Sequence, residues 1–431
     1  MQQTSLFTES VLTPRSSQQA TRSGTFVDNM KLPIHRWFRY SAGFSAVWVE
    51  NLLIEFGANQ SSTVLDPYAG SGTTLLAADS SHVPSIGIEA HSFIARIARA
   101  KTLWATPAEN LENKSQAIIQ HASKIAHAGN HFPPLISECF SADALISLGK
   151  LKDSWQECND DSPESILSWL AITSILRRAS SAGTAQWQYI LPNKTKKIVS
   201  EPLEAFQAQI ELMKFDMKAF QASCDLSLAK VIQGDARNCQ EVISNSVDFV
   251  ITSPPYANNY DYADSTRLEM SFWGEVQSWG DLHEVIRKNL IVSSSQHASI
   301  EKLTLNTLLE NDRLKPIQPE ITEVCEKLAT ERLLHGGKKH YHTMIAAYFR
   351  DSANVWFELR RVCKPGAKIC FVIGDSAPYG VYVPVDKWLG ELALAAGFKK
   401  FSFEKIRDRN IKWKNRKHRV PLHEGFLWID G

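Results

Sequence analysis

The sequence lacks the features that mark several large classes of protein. Its seven cysteines form no Cys-x-x-Cys pair and no zinc-ligand spacing. A disulfide framework or structural zinc site is therefore not expected, and the thiols read as reduced and mostly buried. No apolar stretch is long enough for a secretory signal or a membrane span, so no membrane partner is expected and a cytoplasmic location follows by default. An excess of one charge is missing too. The 47 Lys and Arg residues face 46 Asp and Glu, leaving +1, so a site for a polyanion has to come from local clustering. What remains is an ordinary globular composition, 44% hydrophobic and 22% charged, in 431 residues. That length suits one large domain with insertions, or two domains.

Two short segments carry the chemistry. Thr252-Ser253-Pro254-Pro255-Tyr256 follows the apolar run 247–251. Each proline fixes its own φ and has no N–H, so the turn is stiff and its carbonyls need outside donors. An exocyclic amino group of a nucleobase is such a donor. Ser253 can accept one of its hydrogens, the Pro254 carbonyl can accept the other, and Tyr256 can stack on the base. Asp66-Pro67-Tyr68-Ala69-Gly70-Ser71-Gly72-Thr73-Thr74 follows a second apolar run, 63–65, and opens a helical stretch, 74–78. Gly70 and Gly72 permit a tight turn close to a ligand, and the helix start offers free N–H groups. Glu89, after Ile86-Gly87-Ile88, stands where ribose hydroxyls are bound in such units. A nicotinamide dinucleotide fits less well. The third glycine of its turn is missing, and Asp66 would repel an anion. An acidic residue there suits a ligand with a positive end, such as the amino-acid end of S-adenosylmethionine.

In these segments the chain resembles the S-adenosylmethionine-dependent amino-methyltransferases of DNA. Their cofactor loop reads Asp-Pro-Phe/Tyr-x-Gly-x-Gly, and their catalytic loop Asp/Asn/Ser-Pro-Pro-Tyr/Phe. The resemblance extends to Val231-Ile232-Gln233-Gly234-Asp235-Ala236, similar to the third strand and adenine loop, and to residues 361–374, similar to a helix, turn and fifth strand. It implies an α/β doubly wound, mostly parallel sheet with an antiparallel C-terminal hairpin. It also implies cofactor contacts from Asp66, Pro67, Tyr68, Ala69, Gly70, Gly72, Thr73, Glu89 and Asp235. Catalysis would rest on Ser253, Pro254, Pro255 and Tyr256, acting on a base extruded from double-stranded DNA. No Pro-Cys dipeptide occurs, so the nucleophile used for ring-carbon methylation of cytosine has no candidate. Serine at the first catalytic position is typical of the family's cytosine-N4 enzymes, and Asp or Asn of its adenine-N6 enzymes. The rival readings are adenine-N6 methylation, an RNA guanine-amino methyltransferase, a catalytically silent DNA-binding protein and an NAD-dependent oxidoreductase. A cognate restriction endonuclease acting separately is a further expected partner. Amino methylation needs no metal, so Asp261 and Asp264 read as helix caps.

The organisation expected around these motifs is a mobile tail (1–30), the first part of the core (31–104), a helical insertion that is the candidate target-recognition region (105–229), the catalytic-loop part (230–274), a second insertion (275–340) and a C-terminal part (341–431). Periodicity predicts helices over 46–56, 92–103, 165–178, 203–220 and 385–396, and strands over 398–406 and 425–429. Arg36 or Arg39 is a candidate partner for the cofactor carboxylate. Two clusters suit DNA. Trp187, Tyr189, Lys194, Lys196 and Lys197 surround a Pro-Asn turn. Arg407, Arg409, Lys412, Lys414, Arg416, Lys417 and Arg419 surround Trp413 in a basic arm with little acidic offset.

Overall fold

In the computed structural model the run at 64–66 is a strand buried along its whole length, β1 (Val64–Asp66). The structure describes residues 27–40, 43–126, 131–185, 188–258, 261–296, 304–409 and 419–431. β1 is followed by the helix Thr73–Ser80 and by β2 (Ser85–Glu89), the first strand–turn–helix–strand unit. Two short strands, β3 (Ala182–Thr184) and β4 (Ile190–Thr195), make a separate hairpin. The main sheet continues with β5 (Ala229–Gln233), β6 (Val247–Thr252), β7 (Cys363–Gly374), β8 (Lys400–Arg409) and β9 (Leu422–Asp430). Its order is β5-β2-β1-β6-β7-β9-β8. Pairing is parallel from β5 through β7 and antiparallel for β9 with both neighbours. The chain leaves β1 toward β2 on one side and returns to β6 on the other. Ligands of such sheets bind beyond the carboxyl ends at this reversal.

Strand alternation sets the two faces. In β7, Ile369, Phe371 and Ile373 join a core with the helices Tyr341–Val362 and Val385–Ala395, where Trp356 stacks on Phe371 with centroids 4.6 Å apart. Cys370 and Val372 point the other way, into a core with Trp48, Val49 and Leu52 of the helix Ala46–Phe56. There Trp48 stacks on Phe426 at 4.7 Å. Ser45 caps that helix through its hydroxyl, and Gly57 ends it with a positive φ.

The helices expected over 165–178 and 203–220 are present as Pro163–Ala179 and Pro202–Gln221, packed with Ala108–Lys124 and Ala142–Cys158. Their core is continuous with the rest of the molecule. Leu111, Trp169 and Phe206 share one cluster with Phe93 and Ile97 of the helix Ser92–Lys101, and with Leu268 and Phe272 of the helix Arg267–Trp273. Two expectations need correction, and one helix is added. Pro192-Asn193 is no turn: it lies in β4, where Gly183 pairs with Leu191 and Ala182 with Thr195, so the proline falls in an irregularity that needs no N–H. The last residues of the presumed mobile tail form a 3-10 turn, Val27–Lys31. Buried Asn29 anchors it by donating to the Phe44 carbonyl (2.9 Å) and accepting from the Ala46 N–H (2.9 Å). The second insertion contains a helix, Gln318–Leu334, that the sequence reading passed over because its apolar face is only Ile321, Cys325 and Leu328. Among the described residues no helix is long and apolar enough to cross a membrane.

Candidate active site

The site begins where β1 ends. Gly70 and Gly72 have φ of 51° and 89°, which a Cβ would strain, and so the loop can fold back over the sheet edge. Asp66, buried at the strand end, is satisfied from three directions. Its Oδ1 accepts from the Tyr68 N–H (3.0 Å) and the Thr252 hydroxyl (2.5 Å), and its Oδ2 from the Thr74 hydroxyl (2.7 Å). Burial pushes this carboxyl up to about 6 against those hydrogen bonds. The sequence predicts Asp66 to meet the positive end of a ligand. The structure places its carboxylate between the two motif loops, 186 residues apart in sequence. It is the clasp that holds Ser253 beside the glycine turn.

Glu89, at the end of β2, accepts from the Gly70 N–H and the His91 N–H, both at 2.8 Å. Each carboxylate oxygen has a second lone pair for a hydroxyl of a bound ribose. Burial is the main cause of a pKa raised to about 7. Tyr40 packs over the loop from the segment before β1, and a Cβ on Gly70 would sit 3.4 Å from its ring. Arg36, from the same segment, is not available as a carboxylate partner. Its guanidinium is bound by the fully buried Asp216 of the insertion, which also accepts from Trp37 Nε1 at 3.1 Å. Arg39 is exposed, and its carbonyl accepts from Gln188. Asp235, beyond β5, is held by Arg237 through Nε (2.9 Å) and Nη2 (2.7 Å), and Arg237 reaches on to Asp351 at 3.0 Å. Arg237 and Asp351 carried no signal in the sequence, because the pair is assembled across the fold. A glycine turn, a carboxylate with spare lone pairs and an acidic loop beyond β5 fit an adenosyl group with a charged amino-acid tail.

The catalytic loop leaves β6 directly. Ser253 donates its hydroxyl hydrogen to the Val372 carbonyl of β7 at 3.2 Å. Its oxygen keeps lone pairs with which it can accept. Pro254 is buried, while Pro255 and Tyr256 are half-buried. The Tyr256 phenol, in contact with Ser253, is kept protonated by burial. Downstream, Asp261 is no helix cap but half of a buried ion pair. Its Oδ2 accepts from Arg287 Nε (2.9 Å) and Nη2 (2.5 Å). Asp264 is no cap either: it is the first residue of the 3-10 turn Asp264–Thr266, whose cap position is Ala263 and carries no side-chain cap bond. Arg177 of the insertion braces the same stretch, binding Glu269 (2.6 Å) and the Ser265 carbonyl (2.7 Å).

The predicted DNA-contact residues divide. Lys194 and Lys197 are exposed, whereas Lys196 turns inward and donates to the Arg177 carbonyl. The Tyr189 hydroxyl accepts from the Asp261 N–H at 2.6 Å, so this ring belongs to the support of the catalytic loop. The basic arm is not free of acidic offset at its start. Arg407 pairs with Glu424 at 2.6 Å and Lys405 with Asp408 at 2.5 Å. Lys412, Trp413, Lys414, Arg416 and Lys417 lie outside the described residues, as do Trp187, Asn259 and Tyr260.

Comparison with known proteins adds a family. The DNA methylase family matches residues 22–100, the stretch from the anchored 3-10 turn through the glycine loop to the helix after β2. The Type II methyltransferase M.BsoBI of Geobacillus stearothermophilus is 28% identical over 88% of this chain and 82% of its own length. The Type II methyltransferases M.AvaI of Nostoc sp. and Anabaena variabilis are each 24% identical over 87% of this chain and 81% of theirs.

Proposed function

Since this chain belongs to the N4/N6 family of DNA methyltransferases, we propose that it methylates the exocyclic N4 amino group of cytosine in double-stranded DNA. The methyl donor in this reading is S-adenosylmethionine. When bound it supplies a methyl group activated by a sulfonium. Everything else is done by side chains and backbone of this chain.

Gly70, Gly72 and the start of the helix Thr73–Ser80 receive the amino-acid end of the donor, Glu89 its ribose and Asp235 its adenine. The target base leaves the duplex, because neither loop can reach an amino group inside a base pair. Ser253 and the Pro254 carbonyl then accept the two amino hydrogens, and Tyr256 stacks on the ring. With both hydrogens held, the nitrogen lone pair is turned out of conjugation and aimed at the methyl carbon. In-line displacement would join the methyl carbon to this nitrogen as the sulfur–carbon bond breaks with its electron pair kept on sulfur, and the surplus amino proton would pass to solvent. Orientation rather than covalent catalysis supplies most of the acceleration. The observation that carries this reading is the Ser253 hydroxyl, committed as a donor to Val372 and so presenting acceptor lone pairs. A neutral acceptor of that size suits the pyrimidine amino group. The exposed Lys194 and Lys197 on the β4 side of the insertion, with Lys412, Lys414, Arg416 and Lys417 of the basic arm, are assigned to phosphate contacts.

The test is incubation with labelled S-adenosylmethionine and duplex DNA, followed by nucleoside analysis by mass spectrometry. N4-methylcytosine without 5-methylcytosine is expected. N6-methyladenine would overturn the serine argument and leave the family and the in-line transfer standing.

A further inference from the structure

One side chain packed against the catalytic loop has no part in the chemistry above. Arg409, the last residue of β8, places its guanidinium carbon 5.0 Å from the centroid of the Tyr256 ring. Its Nη1 donates to the Asp375 carbonyl at 2.7 Å. Its Nε lies 4.0 Å from the carboxylate of buried Glu424. A Cβ on Gly374 would come within 2.6 Å of Nη1, so the end of β7 leaves open the space that the guanidinium crosses. The side chain is only 22% exposed. A flat cation seated against an aromatic ring and fixed from two other sides differs from a solvated surface arginine.

We propose that Arg409 holds the place of the target base on Tyr256 while DNA is absent, and that base entry requires the guanidinium to leave that ring face. The proposal rests on Tyr256 being the platform for the base. A guanidinium and a nucleobase are both planar and both stack on tyrosine, and one ring face cannot hold both. Glu424 lies beside the arginine and can keep it as an ion-pair partner once it moves aside. Arg409 is thus a positioning residue. It keeps the pocket filled between turnovers and sets how readily any base gains entry.

The experiment measures steady-state methylation by the full chain on a duplex whose target base faces an abasic position, which removes the cost of breaking the pair. Arg409→Ala, and Arg409→Gln, which can still donate to the Asp375 carbonyl, should lower KM for this DNA by about 3- to 30-fold, the worth of a cation–π contact, with kcat changed less than about twofold. The salt dependence of KM should not change. An unchanged KM overturns the proposal. A raised KM with a flatter salt dependence would make Arg409 a phosphate contact, and a lower kcat at constant KM would make it a support for the loop. Tyr256→Ala separates the two readings. If that variant transfers methyl groups like the wild type, the platform itself is wrong. If it is impaired while the Arg409 variants behave as wild type, only the proposal about Arg409 falls.

Discussion

Glu89 shows how a single carboxylate couples cofactor binding to pH. Buried between the Gly70 and His91 amides, it has a pKa raised to about 7. A protonated carboxyl loses acceptor capacity, so donor affinity should rise as pH increases through about 7. Isothermal titration with S-adenosylmethionine across pH 5.5–8.5, a window of about that range around the raised value, should show the rise in the wild type and lose it in Glu89→Gln. The sign for stability is opposite. A carboxyl with a raised folded-state pKa contributes stability that is present below the unfolded value and lost as pH climbs through the folded one. Asp66, raised to about 6, acts in the same sense. The ligand-free protein should therefore gain less in melting temperature from acidification when Asp66 or Glu89 is made the amide. On the catalytic loop, Tyr256→Ala should cost about 1–3 kcal/mol of base stacking, seen in methyl transfer and not in donor binding. Ser253→Ala should lower turnover while DNA affinity survives.

At the scale of elements, the joints between segments decide whether the site assembles. Asp216 of the helix Pro202–Gln221 is fully buried and holds the Ile34 N–H, Arg36 and Trp37. Arg36→Met leaves that carboxylate without its counter-charge, held only by the Ile34 N–H and Trp37, and should destabilise the fold by about 3 kcal/mol, measured by denaturant unfolding. The paired change Arg36→Met with Asp216→Leu should recover most of the loss; no recovery would show that the pair is more than a structural joint. Several strands and helices could be read from periodicity because their apolar positions repeat within a few residues. The hairpin β3–β4 could not, since its strands are short and a proline sits within one of them.

For the whole molecule, near-neutral net charge makes DNA affinity a matter of where the lysines stand. Replacing Lys194 and Lys197 with glutamine should weaken binding to every sequence alike and flatten the salt dependence, as measured by fluorescence anisotropy over a salt series. Replacing Lys414, Arg416 and Lys417 should do the same. A change in target preference with unchanged overall affinity would mean that either group reads bases instead. The insertion is built into this surface and is not an appendage. Its Arg177 and Tyr189 brace the residues that follow the catalytic loop, so the insertion is held in fixed relation to Ser253.

The sequence by itself determined the two loops and the strands that lead into them. Those properties depend on the steric limits of glycine and proline and on side chains only a few residues apart. Tertiary structure decided the partners. Asp66 gains Thr252 as a partner from 186 positions away, and Arg36 reads as a cofactor clamp until Asp216 arrives from 180. Asp235 is held in place by Arg237, which is itself anchored on Asp351, more than a hundred positions away. A charged group takes whichever partner the fold brings within hydrogen-bond distance of it, and burial then strengthens that choice by removing water as an alternative. Spacing along the chain carries no record of that distance.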